Sequence, residues 1–241
     1  RIHYVGWQVR ISSLTSAGNI IRVTDRSEAK KNRGPFLALE GMDGSGKTTQ
    51  VNLLSEWFSS RNLEFAVARE PGSTKTGEAI RGIVQENLDL DIPPETELLL
   101  YLAARSVFVK EVVLPVLEAG DIFLTDRFSM STLAYQGYAR GLDIAEINRL
   151  NDFASGKLNP DLYLVLDIPE ELSRERLAFA SREKDRLELT GRDFMERVRS
   201  GYLEVARNMD NAVLIYGTET PDMIHHRIRE ILVREMPTTF G

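Results

Sequence analysis

The run Gly41-Met42-Asp43-Gly44-Ser45-Gly46-Lys47-Thr48 reads G-x-x-x-x-G-K-[ST], and no other stretch constrains the fold as tightly. It follows the apolar run Phe36-Leu37-Ala38-Leu39 and precedes a helix-periodic series, Val51, Leu53, Leu54, Trp57 and Phe58. Strand, glycine-rich loop and helix in that order make a phosphate cradle. Glycines let successive backbone N–H groups turn toward an anion, and the helix adds the positive end of its dipole. Lys47 supplies a mobile cation for the outer phosphates, and the Thr48 hydroxyl suits a Mg²⁺ ion. The loop predicts phosphate binding; what is done with the phosphate must come from other residues.

From Pro35 onward strand-like and helix-like runs alternate. Strands are expected at Phe36–Glu40, Phe65–Ala68, Asp121–Thr125, Leu162–Leu166 and Ala212–Tyr216. Helices are expected after the P-loop to about Arg61, around Thr76–Glu86, from Thr96 to Leu117 with Pro115 as a kink or break, at Asp143–Ala154, on both sides of Ser181–Thr190, and at Pro221–Arg234. Five short apolar strands separated by helices predict an α/β fold: a five-stranded parallel sheet with helices on both faces and ligands at the carboxyl ends of the strands. A 241-residue chain that is 42% hydrophobic suits one large domain over residues 35–241. The net charge of -6 argues against a nucleic-acid partner, and the lack of cysteine excludes disulfides and thiolate metal sites. No apolar run is long enough to span a membrane, and a cytoplasmic location is expected.

Residues 1–34 differ from the rest. Seven Lys/Arg against Asp25 and Glu28 give them +5, which leaves -11 for the remainder of the -6 total. They are expected to form a flexible basic extension outside the catalytic fold. A weak hairpin, an organelle presequence and an artefact of the assigned start stay open as alternatives.

Four further constellations carry chemistry. Leu124-Thr125-Asp126 ends a strand in a carboxylate beside the P-loop, where Asp126 could hold Mg²⁺ through water. Arg127 follows at once and can neutralise a phosphoryl group, or simply pair with Asp126. Arg69-Glu70-Pro71-Gly72 ends the second strand, and its Glu-Pro peptide is a candidate cis bond in a turn. Tyr101 and Arg105 lie four apart on a helix and share a face. Together they could stack on a base and bond its edge, although an aromatic in an apolar helix is more often core. Ser181-Arg182-Glu183-Lys184-Asp185-Arg186 is either a solvated face or a lid over the phosphates, here about residues 181–190.

Taken together the motifs resemble the thymidylate kinases, from about Phe36 to Arg234. The resemblance rests on Glu40 to Thr48 with Thr49-Gln50, Arg69-Glu70-Pro71-Gly72, and Tyr101-Leu102-Ala103-Ala104-Arg105. It continues through Asp126-Arg127-Phe128, Ala134-Tyr135-Gln136-Gly137, Pro160-Asp161-Leu162 and Asp185-Arg186-Leu187-Glu188. It implies a P-loop kinase that phosphorylates dTMP with ATP and Mg²⁺ and works as a homodimer. ATP would lie on residues Gly41 to Thr49, with Mg²⁺ at Thr48 and Asp126. On the dTMP side, the resemblance implies Asp43 at the sugar 3′-hydroxyl, Glu70 near the monophosphate, and Arg81 and Arg127 on the dTMP phosphate. It also implies Tyr101 stacked on thymine, Arg105 reading a thymine carbonyl, Thr132 at the base edge, Tyr135 where a 2′-hydroxyl would clash, and Gln136 bordering the nucleoside. Lys47, Arg127 and Arg182 would be catalytic.

Two positions depart from the family pattern. Gly44 stands where one subclass has a catalytic arginine, which implies the subclass that delivers it from the lid through Arg182. Ser73 replaces a glycine common after Arg-Glu-Pro-Gly, which leaves the form of that turn open.

Overall fold

The computed structural model describes residues 33–87, 89–179, 186 and 190–241. In the first half of the chain these form β1 (Phe36–Glu40), α1 (Lys47–Ser60), β2 (Phe65–Arg69), α2 (Lys75–Arg81), α3 (Pro94–Phe108), α4 (Leu114–Ala119), β3 (Ile122–Asp126) and α5 (Ser129–Thr132). There follow α6 (Ile144–Ser155), β4 (Leu162–Asp167), α7 (Glu170–Phe179), α8 (Arg192–Arg207), β5 (Ala212–Tyr216), α9 (Pro221–Glu235) and α10 (Pro237–Phe240). The strands pair in the order β2-β3-β1-β4-β5, every neighbour parallel. The sheet and its two helical layers are those the sequence predicts.

The period of two along β1 divides the core. Phe36 and Ala38 face one layer, with Phe108, Phe128 and Val198, while Leu37 and Leu39 face the other, with Leu54, Phe58 and Ile228. Both faces of β1 are buried, as expected of a central parallel strand. The register sets Leu39 of β1 and Arg69 of β2 opposite Asp126 of β3. The loops after these three strands therefore leave the sheet at one level.

The long apolar helical stretch does not stop at Pro115. Five residues with π-helical hydrogen bonding, Val109–Val113, join α3 to α4, and the N–H of Leu114 reaches back to the carbonyl of Val109. Proline lacks the N–H that would continue the α-helical ladder, and a wider turn absorbs the loss. A helical segment that the sequence reading leaves out runs through α5 and the wide turns of Leu133–Ala139. Its residues are buried on nearly every side, so no polar face marks its period.

The boundary expected after residue 34 shifts, because Arg33 and Gly34 belong to the fold. Arg33 grips Asp161 with both guanidinium nitrogens, at 2.5 and 3.1 Å, and Gly34 N–H donates to Leu117 O at 2.8 Å. Residues 1–32 lie outside the described residues. So does most of the lid expected over 181–190, including Arg182; Arg186 and Thr190 are described. No described helix is long and apolar enough to cross a membrane.

Candidate active site

A cleft of about 620 Å³ opens at the carboxyl edge of the sheet, between the P-loop, the turn after β2, α3 and the segment after β3. Asp43 through Thr49 line one end. Gly41 and Met42, expected to contact ATP, do not line the cleft and act from beneath it. Their carbonyls accept from Lys47 Nζ at 3.1 and 3.0 Å. A β-carbon at Gly41 would come within 2.4 Å of Leu166 O, so the loop leaves the sheet through a gap only glycine fits. An ammonium group has three N–H bonds, and one remains for a ligand. Burial pushes the Lys47 pKa down, and Arg127 adds to this; Asp126, Asp43 and Glu40 oppose them.

Arg127 sits between the P-loop and β3. Its backbone adopts a left-handed φ of 73°, and its N–H donates to Leu39 O at 2.9 Å. The guanidinium donates to Asp43 at 2.7 Å, to Gly41 O at 2.9 Å, to Tyr202 Oη at 2.7 Å and to Ser131 Oγ at 3.1 Å. Burial works against its charge, but Asp43, Tyr202, Tyr135 and Asp126 outweigh that and hold its pKa well above the usual arginine value. Glu40, fully buried, accepts from Ser131 Oγ at 2.6 Å and from Phe128 N–H at 2.8 Å, fixing the segment that carries Arg127. Asp126 lines the cleft with a buried Oδ1 that no described donor satisfies.

The other end of the cleft is built on α3. Tyr101 is nearly buried and lines the wall. Arg105 is 2% exposed; its Nε and one terminal nitrogen hold Glu70 Oε2 at 3.1 and 3.0 Å. Its other terminal nitrogen donates to Thr132 Oγ1 and Asn151 Oδ1. Four of its five N–H bonds are thus used and one remains. Burial lifts the Glu70 pKa to about 7, against the pull of Arg105. Glu70 Oε1 lies 2.9 Å from Arg105 Nε but off the N–H axis, and it accepts no hydrogen bond from the described residues. The Glu70–Pro71 peptide is cis. Arg81 donates to Pro71 O at 3.2 Å; burial and the neighbouring Arg69 cation lower its pKa, against Glu78, Tyr101 and Glu86. Tyr135 and Gln136 also line the cleft, and Tyr135 Oη donates to Asp43 Oδ2 at 3.4 Å.

A thymidylate kinase family model matches residues 39–228. The chain belongs to the thymidylate kinase family. It is 43% identical to the thymidylate kinase of Thermosipho africanus over 201 residues, covering 83% of this chain and 98% of that protein. It is 47% identical to that of Pelotomaculum thermopropionicum over 194 residues, covering 80% and 90% respectively. The crystal structure of thymidylate kinase from Ehrlichia chaffeensis superposes with a TM-score of 0.68 at 29% identity, covering 83% of this chain and 99% of that one.

For a thymidylate kinase the two departures have local explanations. A β-carbon at Gly44 would meet Ser173 O at 2.8 Å, and Arg176 donates to Gly44 O at 3.2 Å, so α7 fills the space above the loop. Ser73 adopts a φ of 62°, accepts from Arg69 N–H at 3.0 Å and donates to Arg69 O at 3.1 Å. Its hydroxyl secures the turn that glycine would otherwise ease. Sequence reasoning missed Ser131, Asn151, Arg176 and Tyr202. Tyr202 sits on the apolar stripe of α8 and reads as core, and only its hydroxyl reaches Arg127.

Proposed function

We propose that this cleft transfers the γ-phosphoryl group of ATP to dTMP, giving dTDP. ATP would lie along Asp43 to Thr49, and dTMP opposite it, between α3 and the segment from Arg127 to Gln136. The observation that carries the reading furthest is the anchoring of Arg127 by five polar contacts, counting its backbone bond to Leu39, between the P-loop and Asp126. A cation held there needs no reorganisation as charge moves between nucleotides.

A dTMP phosphate oxygen attacks the γ-phosphorus in line, and catalysis is positioning plus neutralisation of charge. Lys47 has an N–H for the transferred group, and Arg127 and Arg81 face the dTMP phosphate. The Thr48 hydroxyl and the unsatisfied Asp126 oxygen fit a hydrated Mg²⁺, which would neutralise charge on the phosphates. Arg182 is assigned the γ-phosphate contact that Gly44 cannot make. Tyr101 stacks on the base, Arg105 gives its remaining N–H to a thymine carbonyl, and Thr132 and Gln136 face the base edge. Tyr135 crowds a 2′-hydroxyl, Asp43 takes the 3′-hydroxyl, and Glu70 borders the monophosphate.

A homodimer is part of the proposal. Leu99 on α3 and Phe153 on the adjoining α6 are 58% and 88% exposed, an apolar surface suited to a second copy. Sedimentation should give twice the chain mass, and Phe153→Asp should shift it toward one. Turnover of dTMP, dUMP, UMP, dCMP and thymidine with ATP and Mg²⁺ tests the activity. Preference for dTMP is expected; phosphorylation of thymidine but not dTMP would overturn the reading.

A further inference from the structure

Glu97 lies on α3 one turn before Tyr101 and has no exposed surface. Its carboxylate gathers donors from three places around the base end of the cleft. Gln136 Nε2 donates to Oε1 at 2.7 Å. Arg140 donates to Oε2 at 3.0 Å and more weakly to Oε1 at 3.4 Å, and Arg186 also bonds Oε2. Arg186 is itself pinned, its backbone N–H to Gln85 O and its Nε to Val84 O, both at 3.0 Å.

A carboxylate held by two guanidinium groups offers acceptors only, whereas a side-chain amide has one donating and one accepting end. Glu97 therefore decides which end of Gln136 turns toward it. The NH₂ must face Glu97, and the carbonyl is left for the cleft, which Gln136 lines while only 2% exposed. No described residue donates to that carbonyl.

We propose that Glu97 is a positioning residue that locks the Gln136 amide with its carbonyl toward the base, so that the cleft selects a pyrimidine carrying N3–H. The proposal rests on reading the cleft as a dTMP site and adds how one feature of the base is chosen. Thymine offers N3–H as a donor and gains a hydrogen bond. Cytosine offers a lone pair at N3 and would meet a second acceptor with no donor between them. A site built to bond one hydrogen-bonding pattern rejects its complement because a buried polar group is left unpaired.

The arrangement predicts what Glu97→Gln should do. Both arginines bond Oε2, so the new amide keeps its oxygen there and puts its NH₂ in place of Oε1. Gln136 must then turn its own carbonyl to that NH₂ and present a donor to the base. Thymidylate and 5-methyl-dCMP differ only at N3 and position 4, so the ratio of their kcat/KM values reads the switch. We expect E97Q to lower the dTMP preference by about tenfold or more, chiefly through the dTMP KM, with the ATP KM unchanged. Some preference should survive, because Arg105 still favours a carbonyl at position 4. The double variant E97Q/Q136E moves the carboxylate across the pair, leaves one of its oxygens toward the base, and should return the ratio to within about threefold of the parent. A merely structural Glu97 would depress both substrates together and leave the ratio unchanged, which overturns the proposal. If E97Q does not purify folded, the double variant decides alone: a parental ratio supports the lock, and a tenfold collapse refutes it. A parental ratio in Q136A would show that the amide is not read, and the proposal falls. No dTMP turnover by the parent chain would instead defeat the reading of the cleft, and this role with it.

Discussion

Arg127 and Asp43 are joined at 2.7 Å across the gap between the segment after β3 and the P-loop. The contact ties the cation proposed for the acceptor phosphate to the loop proposed for the donor nucleotide. Displacing either loop therefore displaces both substrates' contacts.

Arg127→Ala should lower kcat by about a hundredfold or more, roughly 2.7 kcal/mol of barrier. Arg127→Lys should recover only part, since three N–H bonds without the planar fork cannot replace the contacts to Asp43, Gly41 O, Tyr202 and Ser131 and still reach a phosphate. Steady-state kinetics on variants shown to be folded by circular dichroism check this. Parental turnover in the alanine variant would remove Arg127 from the mechanism.

Tyr101→Ala should raise the dTMP KM far more than the ATP KM. Base–aromatic stacking is worth on the order of 1–3 kcal/mol, or about five- to 160-fold. Tyr101 also packs within the core cluster, so the melting temperature is expected to fall as well. If the melting temperature falls and both Michaelis constants stay put, the ring is core alone.

Glu70 gives the substrate-free enzyme a pH dependence with a definite sign. Burial raises its folded pKa to about 7, above the ordinary carboxylate value of 4.5, so the folded state holds its proton more tightly than the unfolded chain. The associated stability is full below pH 4.5 and is lost as pH rises through about 7. In Glu70→Gln this loss should vanish, and the urea-derived stability should fall less between pH 5 and pH 7.5 than in the parent. An unchanged slope would show that Glu70 does not titrate in that window.

Arg182→Ala should lower kcat by about ten- to a thousandfold with little change in ATP affinity. Arg186→Ala should act differently, because the structure commits Arg186 to Glu97 and to the backbone after α2. Its expected effect is on dTMP specificity and stability. Single-turnover transfer by the two variants separates them; slow transfer by R186A alone would reverse the assignment.

The P-loop, the five strands and the order of motifs could be read directly from the sequence, because each is a local pattern. A glycine spacing, an apolar run or a capping residue carries its meaning within about a dozen residues. The cleft-lining positions from Glu70 to Gln136 were legible in the same way, through motifs in sequence order. What sequence did not decide is how those side chains are held. Tyr202 reaches Arg127 from 75 residues away, Asn151 reaches Arg105 from 46, and Arg186 reaches Glu97 from 89. Nothing local distinguishes these from an ordinary core tyrosine, a surface asparagine or a solvated arginine. The α5 segment escaped for a related reason: burial on nearly all sides erases the polar face by which a helix announces its period. Sequence determined which chemical groups the chain owns and which ends of the strands carry them. Only packing decided which of those groups would lose water together and what each would meet there: Asp43 and its neighbours hold the charge of Arg127 against burial, burial raises the pKa of Glu70, and Glu97 takes the amide end of Gln136.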